Sequence, residues 1–112
     1  MKSMVIELVT PLSGSASYTS GTRDMKTVEQ DYGIAVSNFV VEVDSDAGGT
    51  LEIDESSDMI VWEQSQSPTG YTGGEGVLRL SILPEQRYVR AKFTNGSGAQ
   101  TRFTMSTGVD YT

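Results

Sequence analysis

RYVRAKFTNGSGAQTRF, residues 87–103, decides what kind of fold this chain can adopt. Apolar and polar residues alternate on either side of a glycine-containing turn, the period of strands with one buried and one wet face. Val89, Ala91 and Phe93 share one face, and Arg90 and Lys92 take the other. Asn95-Gly96-Ser97-Gly98 supplies residues tolerant of positive φ, so the stretch reads as a tight hairpin. In the returning strand Ala99, Thr101, Phe103 and Met105 form the inner face, with Gln100, Arg102 and Thr104 outside. Arg90, Lys92 and Arg102 are therefore expected to project from one side.

The same period extends outward from this stretch. MVIELVT (4–10) reads as a first strand stopped by Pro11, and residues 11–23 as a Ser/Gly/Thr-rich loop or arm with at most a short strand near Tyr18. DMKTVEQ (24–30) reads as a strand. IAVSNFVVEV (34–43) sets Ala35, Phe39, Val41 and Val43 on one face. DAGG (46–49) turns the chain, and TLEID (50–54) buries Leu51 and Ile53. After a polar corner at 55–58, MIVWEQ (59–64) places Ile60 and Trp62 together towards a core. SQSPTGYTGGEG (65–76) is a long loop. VLRLSIL (77–83) points Leu78, Leu80 and Ile82 inward and Arg79 outward, and TGVDYT reads as a tail or a last edge strand. The expected fold is all-β: an antiparallel β-sandwich, jelly-roll or Ig-like Greek key, of about eight strands with a loop-rich N-terminal arm. Residues 1–112 form a single domain, with no internal repeat.

Composition narrows the chemistry. The chain has no cysteine and no histidine, which leaves no disulfide, no thiol nucleophile, no Cys/His zinc set and no imidazole base. No apolar run reaches the roughly 20 residues of a membrane span, and MKSMVIELVTPLSGSAS lacks the pattern of a secretory signal. The formal net charge is −7, contrary to the basic footprint nucleic acid requires. The charge is also segregated. Ten acidic and no basic residues lie between Glu29 and Glu63, whereas Arg79, Arg87, Arg90, Lys92 and Arg102 face Glu85 alone between Arg79 and Arg102.

Three groups invite a site. DSDAGGTLEIDE (44–55) sets Asp44, Asp46 and Glu55 at the first, third and twelfth positions of a calcium loop, but strands flank it where helices would be needed. An ordinary polar turn is the expectation, with no metal and no cofactor. Tyr71, in its glycine-rich loop, is the candidate for a sugar contact beside Tyr18, Tyr32 and Trp62, with Trp62 in phase with the core. The basic residues Arg79, Arg90, Lys92 and Arg102 are the candidate protein interface. The acidic strands of the chain itself, or another subunit, would supply their counter-charge. The paired carboxylates Glu52 and Asp54 point into solvent, so no catalytic set forms and no enzyme is expected.

GTLEIDESSDMIVWEQ (49–64) and RYVRAKFTNGSGAQTRF together resemble small structural proteins of tailed bacteriophages. Their core strands also resemble discoidin or galactose-binding-like sandwiches, with a tryptophan after a polar corner and an R-Y-V-R strand. The similarity spans residues 34–105; where the pattern has a glycine after Asp58, this chain has Met59. The resemblance implies a virion component of the capsid decoration or cement type, a homo-oligomer without catalytic role. It would be made in the host cytoplasm and placed on the capsid surface, with the major capsid protein or another virion protein as partner. An extended N-terminal segment would add a strand to a neighbour's sheet. The alternative is a carbohydrate-binding module of galactose-binding-like type.

Overall fold

The computed structural model describes residues 2–8, 10–25, 37–74 and 76–111. Most of the strand expected at 24–30, together with Tyr32 and Ala35, lies outside the described residues. Ten strands appear among the described residues: β1 (Lys2–Leu8), β2 (Ser17–Thr19), β3 (Arg23–Asp24), β4 (Ser37–Ser45), β5 (Gly49–Ser56), β6 (Glu63–Gln64), β7 (Thr69–Tyr71), β8 (Leu78–Ile82), β9 (Tyr88–Asn95) and β10 (Phe103–Tyr111). They form two antiparallel sheets. The four-stranded sheet has the order β1-β10-β4-β8. The six-stranded sheet is centred on the β5–β9 pair, with β2 and β3 along β9 and β6 and β7 along β5.

Alternation builds the core as expected. Phe39, Val41, Val43, Phe103 and Met105 from one sheet meet Leu51, Ile53, Val89, Ala91 and Phe93 from the other, all buried. Phe93 and Phe103 pack with ring centroids 5.2 Å apart. Each of these side chains larger than alanine contributes about 1.5–3 kcal/mol when fully buried. Leu78, Leu80 and Ile82 pack against this cluster from the rim. Residues 59–62 form no strand: Ile60 is 81% exposed, contrary to its expected place beside Trp62 in the core.

Residues 87–103 are not a hairpin. β9 pairs with β5 in one sheet and β10 lies between β1 and β4 in the other, so residues 96–102 cross between the layers. TGVDYT is likewise no tail, since Thr107–Tyr111 complete an interior strand. Long-range bonds open the turn into an arch. The buried Asn95 amide donates to the carbonyls of Leu12, Ser13 and Gly98 at 3.3, 3.0 and 2.8 Å. Gln100 exchanges bonds with Leu12, accepting its N–H on Oε1 at 2.7 Å and donating its own backbone N–H at 3.1 Å. Residues 46–48 also cross between sheets rather than turning within one.

The registers place the ends of β1, β4, β7 and β9 at one pole, with the starts of β5, β8 and β10. Four connections therefore crowd together there, and close approach explains their glycines. A Cβ on Gly49 would lie 2.7 Å from the Phe93 ring and against the Thr94 carbonyl; one on Gly73 would lie 2.6 Å from the Asp46 carbonyl. The N-terminal segment docks on its own molecule. β2 and β3 add to β9, and Tyr18 bonds the Glu7 carbonyl at 3.2 Å.

Candidate functional site

The four basic residues expected at an interface do not converge. Arg90 and Lys92 share the outer face of β9, whereas Arg79 lies on β8 and Arg102 just precedes β10, both in the other sheet. Each faces a carboxylate of the same chain. Arg102 contacts Asp44 at 3.0 Å, Arg79 contacts Asp110 at 3.5 Å and Arg90 contacts Asp54 at 4.0 Å. Lys92 stands opposite Glu52 in the β5–β9 register. The segregated charge in the sequence is thus largely the two halves of cross-strand pairs, individually weak where exposed. Burial is the main reason the Asp54 carboxyl sits above its usual range; Glu52 adds to it, while Arg90 and Lys92 oppose it.

The calcium-loop residues are separated as well. Asp46 accepts the backbone N–H groups of Thr101 and Arg102 at 3.0–3.1 Å and the Thr101 hydroxyl. The Thr101 hydroxyl leads the contacts that hold its carboxyl at about 2. Asp44 holds Arg102. Glu55 lies towards the far end of β5, where Oε1 accepts the N–H groups of Glu85 and Gln86 at 2.6 and 2.9 Å and Oε2 accepts the Ser65 hydroxyl. Among the described residues no three His, Cys, Asp or Glu side chains are grouped to hold a metal ion. Glu55 also borders a cleft of about 230 Å³ with Glu63, Gln64, Ile82 and Glu85, but both its oxygens are occupied by these structural bonds.

Tyr71 is not an exposed loop aromatic. It is 4% exposed on β7, and its hydroxyl accepts the Ser45 N–H at 2.9 Å and lies 2.6 Å from the Gly76 carbonyl. Its ring meets Phe93 edge-on at 6.1 Å. The sugar contact expected of it has no accessible ring to use. Trp62 moves the other way, out of the core. It lies half-buried on the outer side of the six-stranded sheet, with the Arg90 guanidinium 3.9 Å from its ring centroid.

The exposed feature with the most deliberate local architecture is the corner between β5 and β6. Ser56 is fully buried, and its hydroxyl oxygen accepts the N–H groups of Asp58 and Met59 at 3.2 and 2.9 Å. The same hydroxyl donates to Asp58 Oδ1 at 3.0 Å. That oxygen in turn accepts the N–H groups of Ile60 and Val61 at 2.8 and 3.0 Å. These donors, Ile60 first, hold the Asp58 carboxyl below its usual range. Met59 adopts φ 64°, a left-handed conformation costly for any residue but glycine. This knot presents three consecutive apolar side chains: Met59 52% exposed, Ile60 81% and Val61 62%. In the sequence M-I-V-W imitates the start of a strand; the signal against it was Ser56-x-Asp58, whose side chains compete for the backbone N–H groups a strand would use.

A family model for the N-terminal domain of the uncharacterised protein YqxG matches residues 1–110. A comparison with curated protein sequences finds no match. Among solved structures, the crystal structure of PBSX exported protein XepA aligns with a TM-score of 0.81 at 21% identity. The alignment covers 98% of this chain and 37% of that one. At that identity the likeness speaks for the fold, and this chain spans well under half of the XepA length. The family match covers nearly the whole sandwich: the chain belongs to the YqxG N-terminal domain family.

Proposed function

We propose that the chain is a phage-associated structural protein of the capsid decoration type, acting by adhesion through the tip at Met59, Ile60 and Val61. Its fold is shared with PBSX exported protein XepA, a phage-derived protein. The observation that carries the reading is the tip: a buried serine, an aspartate and a left-handed methionine are committed to holding three large apolar side chains in water. Such a display costs free energy in the isolated chain and is recovered when a partner covers it. The role needs no reaction, and its partner is the major capsid protein or another virion protein at the capsid surface.

The mode of contact differs from the basic edge that the charge pattern suggested. With Arg79, Arg90 and Arg102 already beside internal carboxylates, adhesion rests on apolar burial and changes little with salt. The test is co-sedimentation of the protein with capsid shells purified from the phage or prophage that encodes it. Saturable binding is expected that persists at high salt and falls by about tenfold or more in Ile60→Glu, the loss typical of a central apolar anchor. Absence of binding, or binding indifferent to Ile60→Glu, overturns the proposal.

A further inference from the structure

Asn95-Gly96 is the only place in the chain where asparagine or aspartate precedes glycine. That pair carries its own chemistry. The glycine nitrogen attacks the asparagine side-chain carbonyl carbon unhindered, because glycine has no side chain to shield it. The N–Cγ bond forms, the Cγ–Nδ2 bond breaks, and ammonia leaves with the displaced proton, closing a cyclic succinimide. Water then opens the ring to aspartate or to isoaspartate, whose backbone is one methylene longer.

The closed arch leaves no freedom for that attack. Asn95 is buried, and its leaving group, Nδ2, is tied to the carbonyls of Leu12, Ser13 and Gly98. The nucleophile is tied as well: the Gly96 N–H donates to the Gly48 carbonyl at 2.9 Å, and the Gly96 carbonyl accepts the Ser15 N–H at 2.7 Å. Neither residue has a less reactive replacement. A Cβ on Gly96 would lie 2.9 Å from the Gly48 carbonyl oxygen. A buried carboxylate at position 95 would set an acceptor against three carbonyls. The pair that closes the arch is therefore the pair that reacts when it opens. The N-terminal segment holds it closed, since Ala16 also accepts the Asn95 backbone N–H at 2.8 Å.

We propose that Asn95-Gly96 is a self-modification site, inert while residues 12–16 dock on the arch and committed to deamidation once they leave it. Neither product restores the bonds from Nδ2 to Leu12, Ser13 and Gly98, so the arch does not close again. Isoaspartate also lengthens the backbone at the residue that pairs with Gly49, where the chains already approach closely. Opening is thereby a one-way step. The lifetime of the fold is set by how often the arch opens, not by equilibrium stability alone.

Peptide mapping by mass spectrometry tests this on the full chain, incubated in mildly alkaline buffer with and without urea. Asn95 is expected to deamidate at least about tenfold more slowly in the folded protein, because only the open fraction reacts; a smaller ratio overturns the proposal. After dilution from urea, the chains that refold should carry unmodified Asn95 and those that do not should carry its products. Equal proportions in the two fractions overturn the one-way step. Gly14→Val supplies a third readout. A Cβ on Gly14 would lie 2.6 Å from the Ser97 carbonyl oxygen, so the substitution lifts the N-terminal segment without touching Asn95. With circular dichroism checking that the sheets persist, deamidation should run about threefold faster or more, the effect of losing one hydrogen bond. An unchanged rate excludes release of that segment as the trigger. Where Gly14→Val does not fold, Gln100→Ala makes the same test by removing the acceptor of the Leu12 N–H.

Discussion

The Tyr71 hydroxyl, on the six-stranded sheet, accepts the backbone N–H of Ser45, the last residue of β4 in the opposite sheet, at 2.9 Å. Ser45 is fully buried, and its side-chain oxygen also accepts the Ala47 N–H and the Gln100 amide, at 3.1 and 3.0 Å. A single tyrosine thereby links β4, β7 and the 72–77 crossing where they crowd at one pole. Tyr71→Phe keeps the ring packing but leaves the Ser45 N–H unpartnered. A loss of about 1–3 kcal/mol is expected, with Tm falling by about 4–8 °C per kcal/mol. Thermal unfolding measures it, and an unchanged Tm would show that the bond contributes nothing.

Two aspartates should respond to acid in opposite directions. Asp46 has its folded pKa lowered from 3.8 to about 2, so its stabilisation is present above about 4 and lost as pH falls towards 2. Asp46→Ala should be less stable than the parent at neutral pH, and the gap should close across that window. Asp54 has its folded pKa raised, chiefly by burial, so its ionisation disfavours the fold. Asp54→Asn should gain relative to the parent as pH rises through the carboxylate range. Melting curves from acid to neutral pH separate the two; gaps of the same sign and slope would contradict the assignment.

Trp62 is the chain's one tryptophan, so its fluorescence reports directly on the Arg90 stack. Arg90→Ala should expose the indole and shift its emission to longer wavelength. Trp62→Ala should cost about 0.5–2 kcal/mol, the range for a cation over an aromatic face. An emission spectrum unaltered by Arg90→Ala would mean that the stack does not persist in solution.

Met59→Gly separates stability from adhesion. Glycine relieves the left-handed backbone at φ 64°, worth roughly 1 kcal/mol, so Tm should rise. The same change removes one of the three apolar side chains and loosens the corner, so shell binding should weaken. Paired melting and co-sedimentation measurements check both; stronger binding would place the contact elsewhere.

Much of the sandwich was legible because alternation is a local property. The run Tyr88–Asn95 switches between half-buried and buried at every residue, and the inward faces of Leu51, Ile53, Leu78, Leu80 and Ile82 follow the same rule. The candidate sites were less legible. Tyr71 looked exposed because it lies in a long glycine-rich loop, yet the crossings pack closely around it, with Gly73 tight against the Asp46 carbonyl. Ile60 and Trp62 looked buried because MIVWEQ alternates like a strand, but Ser56 and Asp58 had already claimed the backbone N–H groups.

By itself, the sequence determined that the chain is all-β and which residues of the central strands, such as Leu51, Ile53, Val89, Ala91 and Phe93, turn inward. Those outcomes depend on side-chain character at a spacing of two. Tertiary structure alone decided that residues 96–102 form an arch between sheets rather than a hairpin, and which carboxylate meets each arginine. An arch and a hairpin share the same local alternation. The choice falls to contacts made by residues more than eighty positions apart, such as Asn95 with Leu12 and Ser13, which no local pattern encodes.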